Sequence, residues 1–118
     1  MTPSPEHVRR RTSEELREAA GEEGYAQIRT EFLTGTEIQL AAMARAAEGG
    51  DGEALRRAAH ALRGASGSLG ASGLEALCRE LEMSFSAGVP ASSGELSVAV
   101  ARLAAEFAAV RRALLEAA

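Results

Sequence analysis

The fold is decided by residues 58–82, which read AAHALRGASGSLGASGLEALCRELE. His60 lies there within a strong helical pattern of apolar residues, and a glycine, Gly64, follows four residues later. Gly70 interrupts the pattern, and a second helical pattern then runs as far as the carboxylate of Glu82. This stretch therefore predicts two helices joined by a tight turn, with the histidine on one of them.

Composition predicts a single domain with a core of small aliphatic side chains. The chain has 118 residues, of which 46% are hydrophobic and 3% aromatic, and this length is typical of one domain. No run approaches the ~18 apolar residues of a membrane span, and no signal peptide is recognisable. The single cysteine, Cys78, cannot form an internal disulfide, as is typical of a reducing compartment. We therefore expect a cytoplasmic protein with no membrane partner.

Charge and the N-terminal residues carry less information. The net charge of -4 argues against nucleic acid as a partner, because phosphate binding needs a basic face. Residues 1–11 have no apolar periodicity and are predicted to form a flexible arm, in which His7 has no recognisable partner and is interpreted as inert. The arginine run at residues 9–11 could contact an acidic surface, although such runs are more often solvated charge.

Helical periodicity and capping signals cover the remaining chain without any strand pattern. Capping-box spacings begin at Thr12, Ser72 and Ser92, and Asp51 is suited to the N-cap of another helix. The predicted helices span residues 12–21, 22–48, 51–69, 72–87 and 92 to near the C-terminus. Gly35 is a candidate kink or break within the second of these. We therefore expect an all-α domain over residues 12–118, an antiparallel up-and-down four-helix bundle with an additional short N-terminal helix.

The last predicted helix has an apolar residue at every third or fourth position. These residues are Leu96, Val100, Leu103, Phe107, Val110 and Leu114. The stripe could form a dimeric coiled coil, but packing within the parent bundle is favoured because the other helices need a partner. We therefore expect a monomer.

The predicted helix 51–69 has two different faces. On a helical wheel one face is apolar and is formed by Leu55, Ala58, Leu62, Ala65, Ser66 and Leu69. The opposite face is formed by Arg56, Arg57, His60, Arg63, Gly64 and Gly67. The histidine is therefore expected to face solvent among arginines and glycines, with Ser68 at the edge of this face.

The exposed face of this helix is the remaining candidate for chemistry. The chain has no phosphate-binding loop, dinucleotide fingerprint, nucleophile elbow or Cys/His cluster at metal spacing. A neutral, exposed imidazole is a nucleophile that can form covalent intermediates, and neighbouring arginines would offset the charge of a phosphoryl group. Each helical glycine costs about 1 kcal/mol relative to alanine, so Gly64 and Gly67 suggest close approach of another backbone. Taken alone, His60 is more simply an ordinary surface histidine, but the combination favours a site.

The residues just described resemble the histidine-containing phosphotransfer (Hpt) family. That family's pattern reads approximately A-H-x-L-K-G-[SA]-[SA]-x-x-L-G, followed by L-x-x-x-C-x-x-[LI]-[EQ]. Residues 58–82 are similar to it without a gap, from the histidine to Cys78 and the final glutamate. An aromatic residue in the preceding helix, Phe32, and the turn at 50–51 are also similar to the family.

The resemblance implies roles for the matched residues. His60 would be phosphorylated on Nε2, and Arg63 would replace the usual lysine that stabilises the phosphoryl group. Gly64 would leave room for a docking partner. Glu82 would accept a hydrogen bond from the other imidazole nitrogen and fix the tautomer, and on the wheel it lies beside the apolar stripe, where it could reach the histidine. The partner-docking surface would further include Arg56, Arg57, Gly67 and Ser68.

The resemblance also implies a function, a carrier in a two-component phosphorelay rather than an autonomous enzyme. His60 would accept a phosphoryl group from a receiver-domain aspartate, on a response regulator or a hybrid histidine kinase, and pass it to another receiver. This chain would need no cofactor and no metal of its own, because Mg²⁺ is expected on the receiver. The alternative is a module that binds or sequesters receivers without phosphotransfer. A purely structural bundle would leave the exposed glycines and the histidine unexplained.

Overall fold

A computed structural model describes residues 7–85 and 91–116, and every regular element within these ranges is an α-helix. The helices are α1 (Arg10–Glu48), α2 (Gly52–Leu69), α3 (Ser72–Ser84) and α4 (Ser93–Glu116). The connections before α2 and α3 are short, which makes successive helices antiparallel neighbours. Because α2 and α4 each pack against both α1 and α3, the four form a bundle in which α2 and α4 lie diagonally opposite.

The core is formed by aliphatic side chains from all four helices. All six residues of the apolar stripe predicted for the last helix are buried, and α4 packs against α1 and α3 as predicted. The buried face of α2 differs slightly from the wheel. Ala59 is fully buried, whereas Ala58 is half-buried and Ala65 is exposed. The buried sector is turned because α1 and α3 cover α2 from two sides.

The N-terminal end of α1 differs from the sequence prediction. α1 begins at Arg10 with Arg9 at its N-cap and without a side-chain cap, so the capping box predicted at Thr12 is wrong. A tertiary contact orders this end instead, because the Arg9 N–H donates to the Gly70 carbonyl at 2.6 Å. His7, predicted to be inert, has its Nδ1 2.7 Å from Glu106 Oε2 on α4. Residues 1–6 of the predicted arm lie outside the described residues.

The separate short N-terminal helix is not confirmed as an independent element. α1 covers Arg10–Glu48, but it consists of two helical segments that meet in a kink at Gly21, where the short helix was predicted to end. Its backbone leaves helical geometry only at Gly21, with φ 78° and ψ 170°. A straight helix of 39 residues would measure about 58 Å, but the longest dimension of the molecule is 44 Å. Gly21 therefore bends the N-terminal part of α1 back over the bundle. Gly35 causes no kink or break.

The remaining helix ends agree only in part with the capping signals. The Asp51 side chain accepts from the Ala54 N–H at 3.0 Å, and Ser92 Oγ accepts from the Glu95 N–H at 3.1 Å, as predicted. The capping box predicted at Ser72 is wrong, because Ala71 is the N-cap and provides no side-chain cap. α3 ends at Ser84 rather than near residue 87. The turn predicted after it falls in residues 86–90, outside the described ranges.

Candidate functional site

His60 lies on the outer face of α2, and its side chain is 66% exposed. Its position follows from the helix, because the neighbouring residues Ala59 and Leu62 point into the core and are at most 4% exposed. α2 is held at both ends, by the Asp51 cap and by Gly70, which adopts a left-handed conformation with φ 84°. The histidine is therefore displayed to solvent from a well-anchored helix.

The carboxylate of Glu82, on α3, contacts this histidine. Its Oε1 is 2.6 Å from His60 Nδ1, and the Glu82 side chain is only 12% exposed. Because an ionised carboxylate can only accept hydrogen bonds, this contact requires the imidazole proton on Nδ1. Nε2 is then the nitrogen with a free lone pair. The geometric contact expected from the wheel is thus present, and it selects the nitrogen that could act as a nucleophile.

Arg63 completes a group of three side chains. Its Nη1 lies 3.1 Å from Glu82 Oε2, and this contact is an ion pair without hydrogen-bond geometry. Arg63 is one turn from His60 on α2, and its side chain is one-third exposed. A guanidinium in this position would offset negative charge added to the imidazole.

Gly64 and Ser68 form the next turn of the same face. A Cβ placed on Gly64 would meet nothing within 4 Å, so packing inside the molecule does not require glycine here. The Ser68 hydroxyl donates to the Gly64 carbonyl at 3.1 Å, within α2 itself. The exposed glycine therefore leaves a shallow depression in the surface of α2, one turn from His60, that no neighbouring side chain fills.

Gly67, which was expected to face a partner, is explained in part by the fold. A Cβ on Gly67 would lie 2.4 Å from Glu75 Oε2, because the Glu75 side chain of α3 crosses this turn of α2. The spacing of Glu75 in the sequence offers no hint of this contact, which depends on how α3 packs against α2. Gly67 therefore accommodates an internal carboxylate at the edge of the exposed face.

The two arginines at the start of α2 have different surroundings. Arg56 forms two hydrogen bonds to the Glu53 carboxylate, at 2.7 and 3.1 Å, whereas Arg57 is exposed and has no ion-pair partner among the described residues. The hydrogen bond from Arg56 lowers the pKa of Glu53 and raises that of Arg56. Glu53 was not among the residues predicted for this surface, although its spacing from Arg56 is that of a helical ion pair. Of the two arginines, Arg57 is therefore the one more available to form an ion pair with a partner protein.

A groove of about 230 Å³ runs between α1 and α2 beside the histidine. Its walls come from Glu31, Phe32, Gly35, Thr36, Gln39, Ala61, Leu62 and Ala65. A Cβ on Gly35 would meet nothing within 4 Å, as at Gly64. Gly35 is thus a helical glycine that lines the groove although internal packing does not require it. None of these α1 residues was predicted to belong to the site, and Phe32 was noted only as an aromatic residue that fits the family pattern.

None of the helices within residues 7–85 and 91–116 combines the length and the hydrophobicity that a membrane span needs. The same residues contain no group of three or more His, Cys, Asp or Glu side chains arranged to hold a metal ion.

Comparison with known proteins agrees with the geometry of the site. The family model of the Hpt domain matches residues 27–116. Among solved structures, the chain is similar to histidine-containing phosphotransfer protein B (HptB) from Pseudomonas aeruginosa PAO1, with 32% sequence identity and a TM-score of 0.79. That similarity covers 92% of this chain and 90% of the other. A comparison with curated proteins gave no match. This chain therefore belongs to the Hpt family, the histidine-containing phosphotransfer domains.

Proposed function

We propose that this chain is a phosphotransfer protein of a two-component phosphorelay. His60 accepts a phosphoryl group from an aspartyl phosphate on one receiver domain and passes it to an aspartate on another. Membership of the Hpt family and the similarity to HptB support this class of function. The observation that carries the proposal is the 2.6 Å contact between His60 Nδ1 and Glu82, which leaves Nε2 of an exposed imidazole free to attack.

The chemistry follows from this arrangement. The Nε2 lone pair forms a bond to phosphorus while the bond between phosphorus and the aspartate oxygen breaks, and the aspartate leaves as a carboxylate. The imidazole ring then carries positive charge, which Glu82 stabilises through the retained Nδ1 proton. Arg63, which lies one turn from His60 and pairs with Glu82, offsets the negative charge of the phosphoryl oxygens in this proposal. The reverse attack by a receiver carboxylate regenerates the neutral imidazole.

Docking supplies most of the rate enhancement, because phosphoryl transfer depends on positioning and charge stabilisation. The depression at Gly64 and the groove between α1 and α2 offer a surface on which a receiver can approach closely. Mg²⁺ belongs to the receiver in this proposal, and no step requires a metal on this chain. The protein is then a carrier that is phosphorylated and dephosphorylated, and not an autonomous enzyme.

The test is transfer of labelled phosphate from purified receiver domains of the source organism. The wild-type chain is expected to acquire acid-labile label from at least one phosphorylated receiver, and His60→Gln is expected to acquire none. His7→Gln is a matched control, because it removes a histidine that pairs with Glu106 instead. His7→Gln should accept label like the wild type.

Other outcomes would contradict the proposal. Equal labelling of His60→Gln would show that His60 is not the acceptor. Tight binding of a phosphorylated receiver without any transfer to the wild type would favour a sequestering module instead.

A further inference from the structure

The three consecutive arginines Arg9–Arg11 differ in their surroundings. Arg10 and Arg11 are 79% and 87% exposed, and each pairs with a glutamate one turn further along α1. Arg9 instead reaches another helix, where its Nη2 lies 3.9 Å from Oε1 of Glu75 on α3. Its side chain nevertheless remains 52% exposed. Arg9 is therefore the member of this run that is directed toward the body of the bundle.

The partner of Arg9 lies beside the face that displays His60. The Glu75 carboxylate occupies the space where a Cβ of Gly67 would be. Gly67 and His60 are seven positions apart on α2, so they lie within about 20° of each other on the helix and about 10 Å apart along its axis. The pair formed by Arg9 and Glu75 thus borders the exposed face of α2, two turns from the histidine.

The backbone holds Arg9 in place. Its N–H donates to the Gly70 carbonyl at 2.6 Å, and Val8 packs against the hydrophobic core. The Gly70 position is itself crowded, because a Cβ there would lie 2.7 Å from Thr12 Cβ. A cation anchored in this way loses less conformational freedom on binding than a free surface arginine.

We propose that Arg9 is a specificity-determining residue for the receiver that docks at His60, and that it recognises a carboxylate on that receiver. This inference rests on the proposed function. A typical interface buries roughly 800 Å² on each partner, a disc of roughly 16 Å radius. An interface centred on His60 therefore extends past Gly67 to the Glu75 carboxylate, which Arg9 contacts. Arg9 precedes the residues matched by the family model, 27–116, and it adds a contact from outside the matched domain.

The experiment compares Arg9→Gln with Arg102→Gln. Arg102 is 57% exposed and pairs with Glu80 at 3.4 Å, but it lies on α4, diagonally across the bundle from α2. Both variants lose one arginine from an exposed ion pair, so effects of net charge cancel. The probe is the receiver that labels the wild-type chain most rapidly or, if no receiver labels it, the receiver that binds it most tightly. The second-order rate constant for phosphotransfer and the Kd for the unphosphorylated receiver are measured at low and high ionic strength.

Arg9→Gln is expected to lower the rate constant and weaken binding about three- to tenfold at low ionic strength, with a smaller effect at high ionic strength. Arg9→Lys should retain most of the wild-type value, and Arg102→Gln should match the wild type. Equal effects of Arg9→Gln and Arg102→Gln would overturn the inference.

The two proposals can fail separately. If the wild type binds a receiver without accepting label, phosphotransfer is wrong, and the Kd values for the same receiver still decide the role of Arg9. If the wild type binds no receiver, both proposals are overturned.

Discussion

His60 has two ring nitrogens with different surroundings, and this difference is the basis of the proposed chemistry. Nδ1 faces the Glu82 carboxylate at 2.6 Å, while the side chain as a whole is 66% exposed. Glu82 is nearly buried, and its second oxygen lies 3.1 Å from Arg63. A buried carboxylate is costly unless it is paired, and here the histidine and the arginine compensate it from two sides. One glutamate therefore orients both residues that would handle the phosphoryl group.

Replacement of Glu82 tests this arrangement. Glu82→Ala is expected to slow phosphotransfer to His60 by about ten- to a hundredfold, because a hydrogen bond to a charged group contributes about 1.5–3 kcal/mol. Glu82→Gln keeps an acceptor for the Nδ1 proton and should lose less. The measurement is the initial rate of labelling by a phosphorylated receiver. Glu80→Ala, on the same helix but paired with Arg102, is the control, and equal rates for Glu82→Ala and Glu80→Ala would refute the role.

Three glycines spaced three residues apart, Gly64 and Gly67 in α2 and Gly70 at its C-cap, have three different surroundings. Gly64 has open space around it, Gly67 makes room for Glu75, and Gly70 ends the helix in a left-handed conformation under Thr12. Sequence spacing alone makes Gly64 and Gly67 look equivalent, because both fall on the exposed face. The roles of Gly64 and Gly67 differ because α3, packed against α2, places a side chain at Gly67 and none at Gly64.

Alanine substitutions at the outer two of these glycines, Gly64 and Gly70, are expected to change the free energy of unfolding in opposite directions. Gly64→Ala should stabilise the protein by about 1 kcal/mol, because alanine favours the helix and its Cβ meets no atom. Gly70→Ala should destabilise it by about 2 kcal/mol or more, because of the positive φ and the contact with Thr12. Urea denaturation of both variants measures the two changes. Destabilisation by Gly64→Ala would imply an internal packing role for Gly64.

A larger side chain at Gly64 tests whether this glycine is needed for docking and not for folding. Gly64→Gln should retain the wild-type helical content and unfolding midpoint while it weakens receiver binding. Unchanged receiver affinity would contradict the idea that this glycine permits close approach.

In the molecule as a whole, the bundle is held together by buried aliphatic side chains that come from all four helices. The bent N-terminal part of α1 closes one end of it. Arg9 contacts the turn between α2 and α3, and His7 contacts α4, across 99 positions of sequence.

Cys78 lies at the centre of this core and is fully buried. Burial, together with the nearby charge of Glu82, raises the pKa of the Cys78 thiol from its ordinary value of 9.0 to about 12.

This raised pKa predicts a loss of stability in alkali. Between pH 9.0 and about 12 the unfolded thiol ionises while the folded one stays protonated, so the unfolded state binds fewer protons and stability falls as pH rises. The wild type should lose about 1–2 kcal/mol more than Cys78→Ala between about pH 8 and about pH 10. Urea denaturation of both proteins at the two pH values provides the measurement. Parallel losses in the two proteins would show that the thiol does not contribute.

The helical segments, most of the core and the outward-facing histidine could be predicted from the amino-acid sequence, because those properties are local. A period near 3.6 residues specifies the buried stripe of α4 and the outward direction of His60. The start of α1 was not predictable in this way, because a hydrogen bond from Arg9 to Gly70 sets it.

Contacts between side chains on different helices could not be predicted in this way, because they depend on how the helices pack. The reach of Glu82 to His60, the position of Glu75 over Gly67 and the contact of Arg9 with α3 all depend on packing angles and on the bend at Gly21. Helical periodicity assigns a residue to a face of its own helix, but the distance between two faces is set by the packing of the whole core.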